Sequence, residues 1–72
     1  DQSAGLIQGG WLILQQGRAP HEAEQLVASI GPGNPQFGKA EHLRGACALR
    51  RDDPAAARDH LLRAHALGED RK

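Results

Sequence analysis

Residues 51 to 64 read RDDPAAARDHLLRA, and residues 17 to 30 read GRAPHEAEQLVASI. The two stretches share few letters, but prolines and apolar residues recur in both at a constant offset of thirty-four residues. The recurring pairs are Pro20 and Pro54, Ala23 and Ala57, Val27 and Leu61, and Ile30 and Ala64. In each stretch the apolar members are spaced as on one face of a helix. Each stretch therefore predicts a surface helix that buries one stripe.

Signals for helix starts and stops divide the rest of the chain. Pro20 and Pro54 suit the first helical position, and Asp53 adds a capping carboxylate that Ala19 cannot supply. Gly17 predicts the C-terminal end of a preceding helix. The segment GPGNP, residues 31 to 35, forbids helix continuation. The sequence therefore predicts four helices, at about 3–16, 20–30, 36–51 and 54–67, and no strand.

The helices form two pairs, each with a first helix that is apolar on more than one face and a second helix with one apolar face. Thirty-four residues is the tetratricopeptide period. Ala23 and Ala57 match the small residue early in the second helix of that repeat, and Pro35 matches the proline that ends a unit. Gly45 matches the small residue of the first helix. The chain thus resembles the tetratricopeptide repeat (TPR) family over about residues 3 to 68.

The resemblance implies an all-α fold, in which two antiparallel helical hairpins stack as a short TPR-like right-handed solenoid. It makes residues 1–72 a single domain, with repeat one at about 3–35 and repeat two at about 36–68. The structural repeat positions that it implies are Ala23, Val27, Ile30, Pro35, Gly45, Ala57, Leu61 and Ala64. Trp11 falls at the place of Gly45 in repeat one, and a shift of one residue with a longer turn puts Gly10 there instead. The alternative is two unrelated hairpins whose lengths agree by chance.

A two-repeat unit leaves both of its ends uncovered, whereas such arrays usually contain three or more repeats. The apolar residues at the two ends are Leu6, Ile7, Trp11 and Leu12, and Leu62, Ala66 and Leu67. We therefore expect the segment to be part of a longer chain with further repeats, or to form a homo-oligomer. The absence of methionine also indicates a processed chain or a piece of a longer protein. Many alanines and a preference for arginine over lysine indicate a bacterial source.

Composition narrows the classes of function. Nine basic residues balance nine acidic ones, so the chain lacks the net positive charge that would attract nucleic acid or an anionic membrane surface. The longest apolar run, residues 11–14, is far too short for membrane insertion. Cys47 is the single cysteine, which excludes an internal disulfide and a thiol-bound structural metal. We expect a cytoplasmic location, with the periplasm as the alternative.

No pattern of reactive side chains predicts catalysis. His60 and His65 lie roughly 140° apart around a helix and cannot share a metal ion. His60 is better interpreted as a packed side chain that is partly exposed to solvent. Cys47 is flanked by alanines and is typical of a small buried residue. Asp52 and Asp53 are better explained as a helix stop and cap. We therefore expect no metal site, no cofactor and no enzyme activity.

The resemblance places function on the first helices of the two repeats, which line the concave groove of TPR arrays. The residues it would place there are Gln8, Leu12, Gln15 and Gln16 with Lys39, His42, Ala46, Leu49 and Arg50. The basic members could accept an acidic segment or a chain-terminal carboxylate. The expected function is a protein–protein interaction module that binds a peptide or helix of a partner protein. The alternatives are a helical regulatory segment of a larger transcription activator or enzyme, and a secretion or assembly chaperone.

Overall fold

A computed structural model describes residues 2–66 of the chain. Its helices are α1 (Ser3–Gln15), α2 (Pro20–Leu26), α3 (Phe37–Arg50) and α4 (Pro54–Ala66). The predicted all-α fold class is confirmed, and no strand occurs within residues 2–66. The last residue of the predicted fourth helix, Leu67, and the predicted end of repeat two at residue 68 lie outside the described residues.

The helices form two hairpins, α1 with α2 and α3 with α4. α3 also packs against α1 and α2, whereas α4 contacts α3 alone among the described helices. The core lies where α1, α2 and α3 meet, and its largest fully buried side chains are Val27, Ile30, Leu43 and Cys47. α4 is therefore an edge helix with one covered side.

The prediction that the second helix runs to residue 30 is wrong, because α2 ends at Leu26 and residues 27–29 form a turn. The physical cause is a side chain from another helix. The guanidinium of Arg44 in α3 donates hydrogen bonds to the carbonyls of Val27 and Ile30, at 2.8 and 3.2 Å. These carbonyls are thereby satisfied without a continued helix.

Most of the predicted repeat positions are buried. Those that are buried are Ala23, Val27, Ile30, Gly45, Ala57 and Ala64. Pro35 is exposed, at the connection before α3. Leu61 is also exposed, at 37%, so the prediction that α4 buries it is wrong. Leu61 lies against Gly45, but no second helix within residues 2–66 covers its other side.

Two further expectations about α1 need correction. Ile7, expected at an uncovered end, is buried in the core, while Leu12 is exposed. Gly10, expected at the close contact within the first hairpin, instead faces α3: a Cβ built there would lie 2.4 Å from Leu43 Cδ2. The glycine that faces α2 is Gly9, where a Cβ would lie 3.2 Å from Leu26 Cδ1.

α1 and α3 end in the same way. Gly17 has φ of +74°, and the amides of Gly17 and Arg18 donate to carbonyls of the last turn of α1 at 3.1 and 3.2 Å. Asp52 takes the equivalent conformation with φ of +61°, and the amides of Asp52 and Asp53 donate to the last turn of α3 at 3.0 and 2.9 Å. Both ends are Schellman motifs, of which only the first has the glycine that this φ favours.

The starts of α2 and α4 differ as predicted. Asp53 Oδ1 accepts a hydrogen bond of 3.2 Å from the amide of Ala56, which confirms the predicted cap of α4. Ala19 precedes α2 and makes no side-chain capping bond. Both helices carry proline in the first turn, where its missing N–H is not needed.

Candidate functional site

One surface of the molecule is built by α1 and α3 together, and we call it the α1/α3 face. Its exposed members are Gln8, Leu12, Gln15, Lys39, His42, Leu49 and Arg50, and Ala46 is half-buried. Gln16, just after α1, is exposed as well. Leu12 and Leu49 are 53% and 57% exposed, and Leu62 of α4 is exposed to a similar extent, at 56%.

Two clefts lie side by side along α1 and share Gln8. The first, of about 300 Å³, is lined by Gln8, Trp11, Leu12 and Gln15. The second has a similar volume of about 300 Å³ and is lined by Ala4, Ile7, Gln8, Gln36 and Lys39. Gln8 borders both clefts, and we call the two clefts together the α1 groove.

Direct contacts fix α3 beside this groove. The rings of Trp11 and His42 meet edge to face, with centroids 5.7 Å apart and planes at 90°. Arg50 Nη1 donates a hydrogen bond of 3.0 Å to the carbonyl of Leu14 at the end of α1. Lys39 borders the other end of the groove. The structure therefore brings these three α3 residues next to α1, whereas Leu49 points into solvent beside Arg50.

The exposed charges that α1 and α3 themselves contribute to the α1/α3 face have one sign. α1 contains no charged residue, and the only acidic residue of α3 is Glu41. Glu41 is 3% exposed and faces α4, away from the groove. The exposed charges that α1 and α3 contribute are therefore those of Lys39 and Arg50.

Glu41 is the buried centre of an ionic cluster that the sequence did not predict. Its carboxylate lies 2.5 Å from His60 Nδ1, 3.1 Å from Arg44 Nη1 and 3.3 Å from Arg63 Nη1. Burial raises the pKa of Glu41, but the hydrogen bond with His60 and the charges of His60, Arg44 and Arg63 outweigh it and hold the pKa below 4.5. The carboxylate is thus ionised at neutral pH and joins α3 to α4.

The same cluster reaches the first hairpin through Arg44. One Arg44 nitrogen binds Glu41, and the other donates to the carbonyls at the end of α2. The spacing of Glu41 and Arg44 was a visible signal for a pair on one helix. Their burial was not visible, because it depends on helices that are distant in sequence.

Cys47 is fully buried in the core. Burial, together with the nearby Glu24 carboxylate, raises the pKa of its thiol from 9.0 to about 11 against the opposite effect of three arginines. The thiol is therefore protonated at neutral pH and shielded from solvent, which is unfavourable for a nucleophile.

Two searches of the described part of the chain gave negative results. Within residues 2–66, no group of three or more His, Cys, Asp or Glu side chains is placed to hold a metal ion. None of the helices described there combines the length and the apolar character needed to cross a membrane.

Comparison of the chain with protein-family models, with curated proteins and with solved structures found no match. The TPR resemblance therefore rests on the residues and on the spacing of the helices. α1 and α3 begin at Ser3 and Phe37, and α2 and α4 begin at Pro20 and Pro54. Each interval is thirty-four residues, the same as the offset seen in the sequence.

Proposed function

We propose that this chain is a protein–protein interaction module whose α1/α3 face binds a segment of a partner protein. The observation that carries the proposal is the pair of exposed leucines, Leu12 and Leu49, on a face that also contains the α1 groove. Exposed apolar side chains beside a concave surface, rimmed by polar groups, are typical of protein-binding sites. α2 and α4 form the structural wall behind this face.

We also propose that the two hairpins are TPR-like repeats stacked as a short right-handed solenoid. The equal intervals between helix starts support this proposal, as do the buried alanines Ala23 and Ala57 early in α2 and α4. The close approach of α4 to Gly45 supports it for the second hairpin. The first hairpin departs from the family pattern, since Gly9 takes this role and Gly10 contacts α3 instead.

The proposed role does not involve a reaction within these residues. The raised pKa of the Cys47 thiol and the ion pairs of Glu41 support this, because neither group is exposed or available to a substrate. Binding alone is therefore the activity to test.

The test compares two double variants in a co-purification experiment. Leu12→Ser with Arg50→Gln alters the α1/α3 face, and Leu62→Ser with Arg58→Gln makes the same changes on the outer side of α4. The control is matched, because Leu62 is 56% exposed and Leu12 is 53% exposed. A partner that is captured by the wild type and the α4 variant, but lost by the α1/α3 variant, supports the proposal. Equal capture by both variants would falsify it.

A further inference from the structure

We propose that the segment bound in the α1 groove is an extended, acidic stretch with one apolar residue at its centre. This inference rests on the proposed function and adds the chemistry and conformation of the partner. It is carried by three properties of the groove: its length, its amide side chains and the sign of its charges.

The length of the groove fits a short extended segment. Its lining runs along α1 from Ala4 to Gln15, a distance of about 16 Å at a rise of about 1.5 Å per residue. An extended chain covers that distance with about five residues, at about 3.3 Å each.

The side chains that line the groove favour an extended partner over a helical one. Gln8, Gln15 and Gln36 line the two clefts, and each carboxamide can donate and accept hydrogen bonds. A bound helix uses its backbone groups internally and leaves nothing for these amides except at its ends. An extended segment presents unpaired N–H and C=O groups along its whole length. The glutamines are thus complementary to a peptide backbone, whatever its sequence.

The two ends of the groove are positive and its middle is apolar. Lys39 borders one end, and Arg50 is bound to the carbonyl of Leu14 at the other. That bond uses one of the five N–H groups of the guanidinium, so Arg50 keeps donors for a carboxylate. Between the ends, Trp11 and Leu12 supply the apolar part of the lining of the first cleft. Since α1 and α3 contribute no exposed acidic residue, carboxylates at both ends of the segment meet no repulsion from these helices.

The test uses a seven-residue peptide with a central leucine, one serine on either side of it and two glutamates at each end, acetylated and amidated. It is titrated to about 1 mM into ¹⁵N-labelled protein and followed by two-dimensional NMR. We expect shifts of the side-chain amide signals of Gln8 and Gln15, and of backbone amides in α1 and α3. Replacing the central leucine by serine should weaken binding about tenfold. Replacing the glutamates by glutamines should weaken it roughly three- to tenfold and remove its dependence on salt.

Two controls separate this inference from the proposed function. Gln8→Ala should weaken binding, whereas Gln25→Ala, on the exposed side of α2, should not. A longer peptide of similar composition, locked as a helix by a covalent staple, should bind at least about tenfold more weakly. Equal binding of the helical or the glutamine peptide overturns the inference but leaves the proposed function standing. If no NMR signal of α1 or α3 shifts, the inference is also overturned. The proposed function is then tested by the co-purification experiment alone.

Discussion

The two hairpins differ in what holds their helices together. The first hairpin buries large apolar side chains, among them Ile7 and Leu14 of α1 and Val27 just after α2, in the core shared with α3. The buried residues of α4 are only two alanines, Ala57 and Ala64, so apolar burial contributes much less to its attachment. α4 is also linked to α3 by Leu61, which lies against Gly45, and by the ionic cluster around Glu41. Because α4 is covered on one side and its buried residues are alanines, its attachment depends more on directional polar contacts. This holds even though its spacing in the sequence matches that of α2.

The strongest test of this difference is Glu41→Ala. We expect it to destabilise the protein by about 2–4 kcal/mol, because it leaves Arg44 without its buried partner and detaches His60 and Arg63 from α3. Urea unfolding followed by Trp11 fluorescence gives the free energy of unfolding. The matched control is Glu22→Ala, which removes an exposed pair with Arg18 and should cost less than about 1 kcal/mol. Equal losses in the two variants would show that the cluster does not hold α4.

The second test adds a methyl group at two tight glycine contacts. One is Gly10, where α1 meets α3 in the core, and the other is Gly45, where α3 meets α4. Gly10→Ala places a Cβ 2.4 Å from Leu43 Cδ2 in the closed core, and we expect a net loss of about 1–2 kcal/mol despite the gain in helix propensity. Gly45→Ala places a Cβ 2.8 Å from Leu61 Cγ. Leu61 is already part-exposed and can turn outward, so the net change should lie within about 0.5 kcal/mol. Thermal and urea unfolding measure both losses of stability. A larger loss for Gly45→Ala than for Gly10→Ala would contradict the contrast between the closed core and the less covered contact of α4.

Helix caps provide a third and smaller test, in which one change weakens the second hairpin and another strengthens the first. Asp53→Ala removes the hydrogen bond to the amide of Ala56 and should cost about 1 kcal/mol. Ala19 already has the extended backbone of a capping residue, with φ of −58° and ψ of +129°. Ala19→Asp should therefore stabilise α2 by up to about 1 kcal/mol. If the free energy of unfolding does not rise in that variant, the start of α2 is not limited by its missing cap.

The pH dependence of stability isolates the charge on Glu41. Its pKa in the folded protein is lowered from 4.5, so the ionised form contributes stability above the unfolded value and that contribution disappears as pH falls through the folded value. We expect the advantage of the wild type over Glu41→Gln to shrink as the pH falls below 4.5. Denaturation of both proteins across this range measures the difference. An advantage that is unchanged in acid would mean that the carboxylate charge does not stabilise α4.

The sequence predicted those features of the fold that depend on neighbouring residues. The cap at Asp53, the turn at Gly17 and the breaker between residues 31 and 35 act over a few residues, so their signals are local. The end of α2 could not be predicted, because Arg44 satisfies its carbonyls from α3. The exposure of Leu61 was equally hidden, since helical periodicity shows which residues share a face but not whether another helix covers it.

Less of the candidate site than of the fold could be predicted from the sequence. The groove residues implied by the TPR resemblance stay a prediction, and the structure adds that Leu12 and Leu49 among them are exposed. The second cleft, in which Gln36 and Lys39 lie beside residues of α1, could not be predicted, because it depends on how α3 packs against α1. The position of Glu41 was missed because a charged residue on a helix is usually assigned to solvent.

Cys47 lies in the core where three helices meet, and it is the only cysteine of the chain. A thiol reagent can reach it only after the helices around it have separated, so the rate of modification counts how often the domain opens. The chain therefore carries a built-in reporter of its own opening. Any ligand that binds the closed form should slow that reaction, which allows candidate partners to be screened without labels.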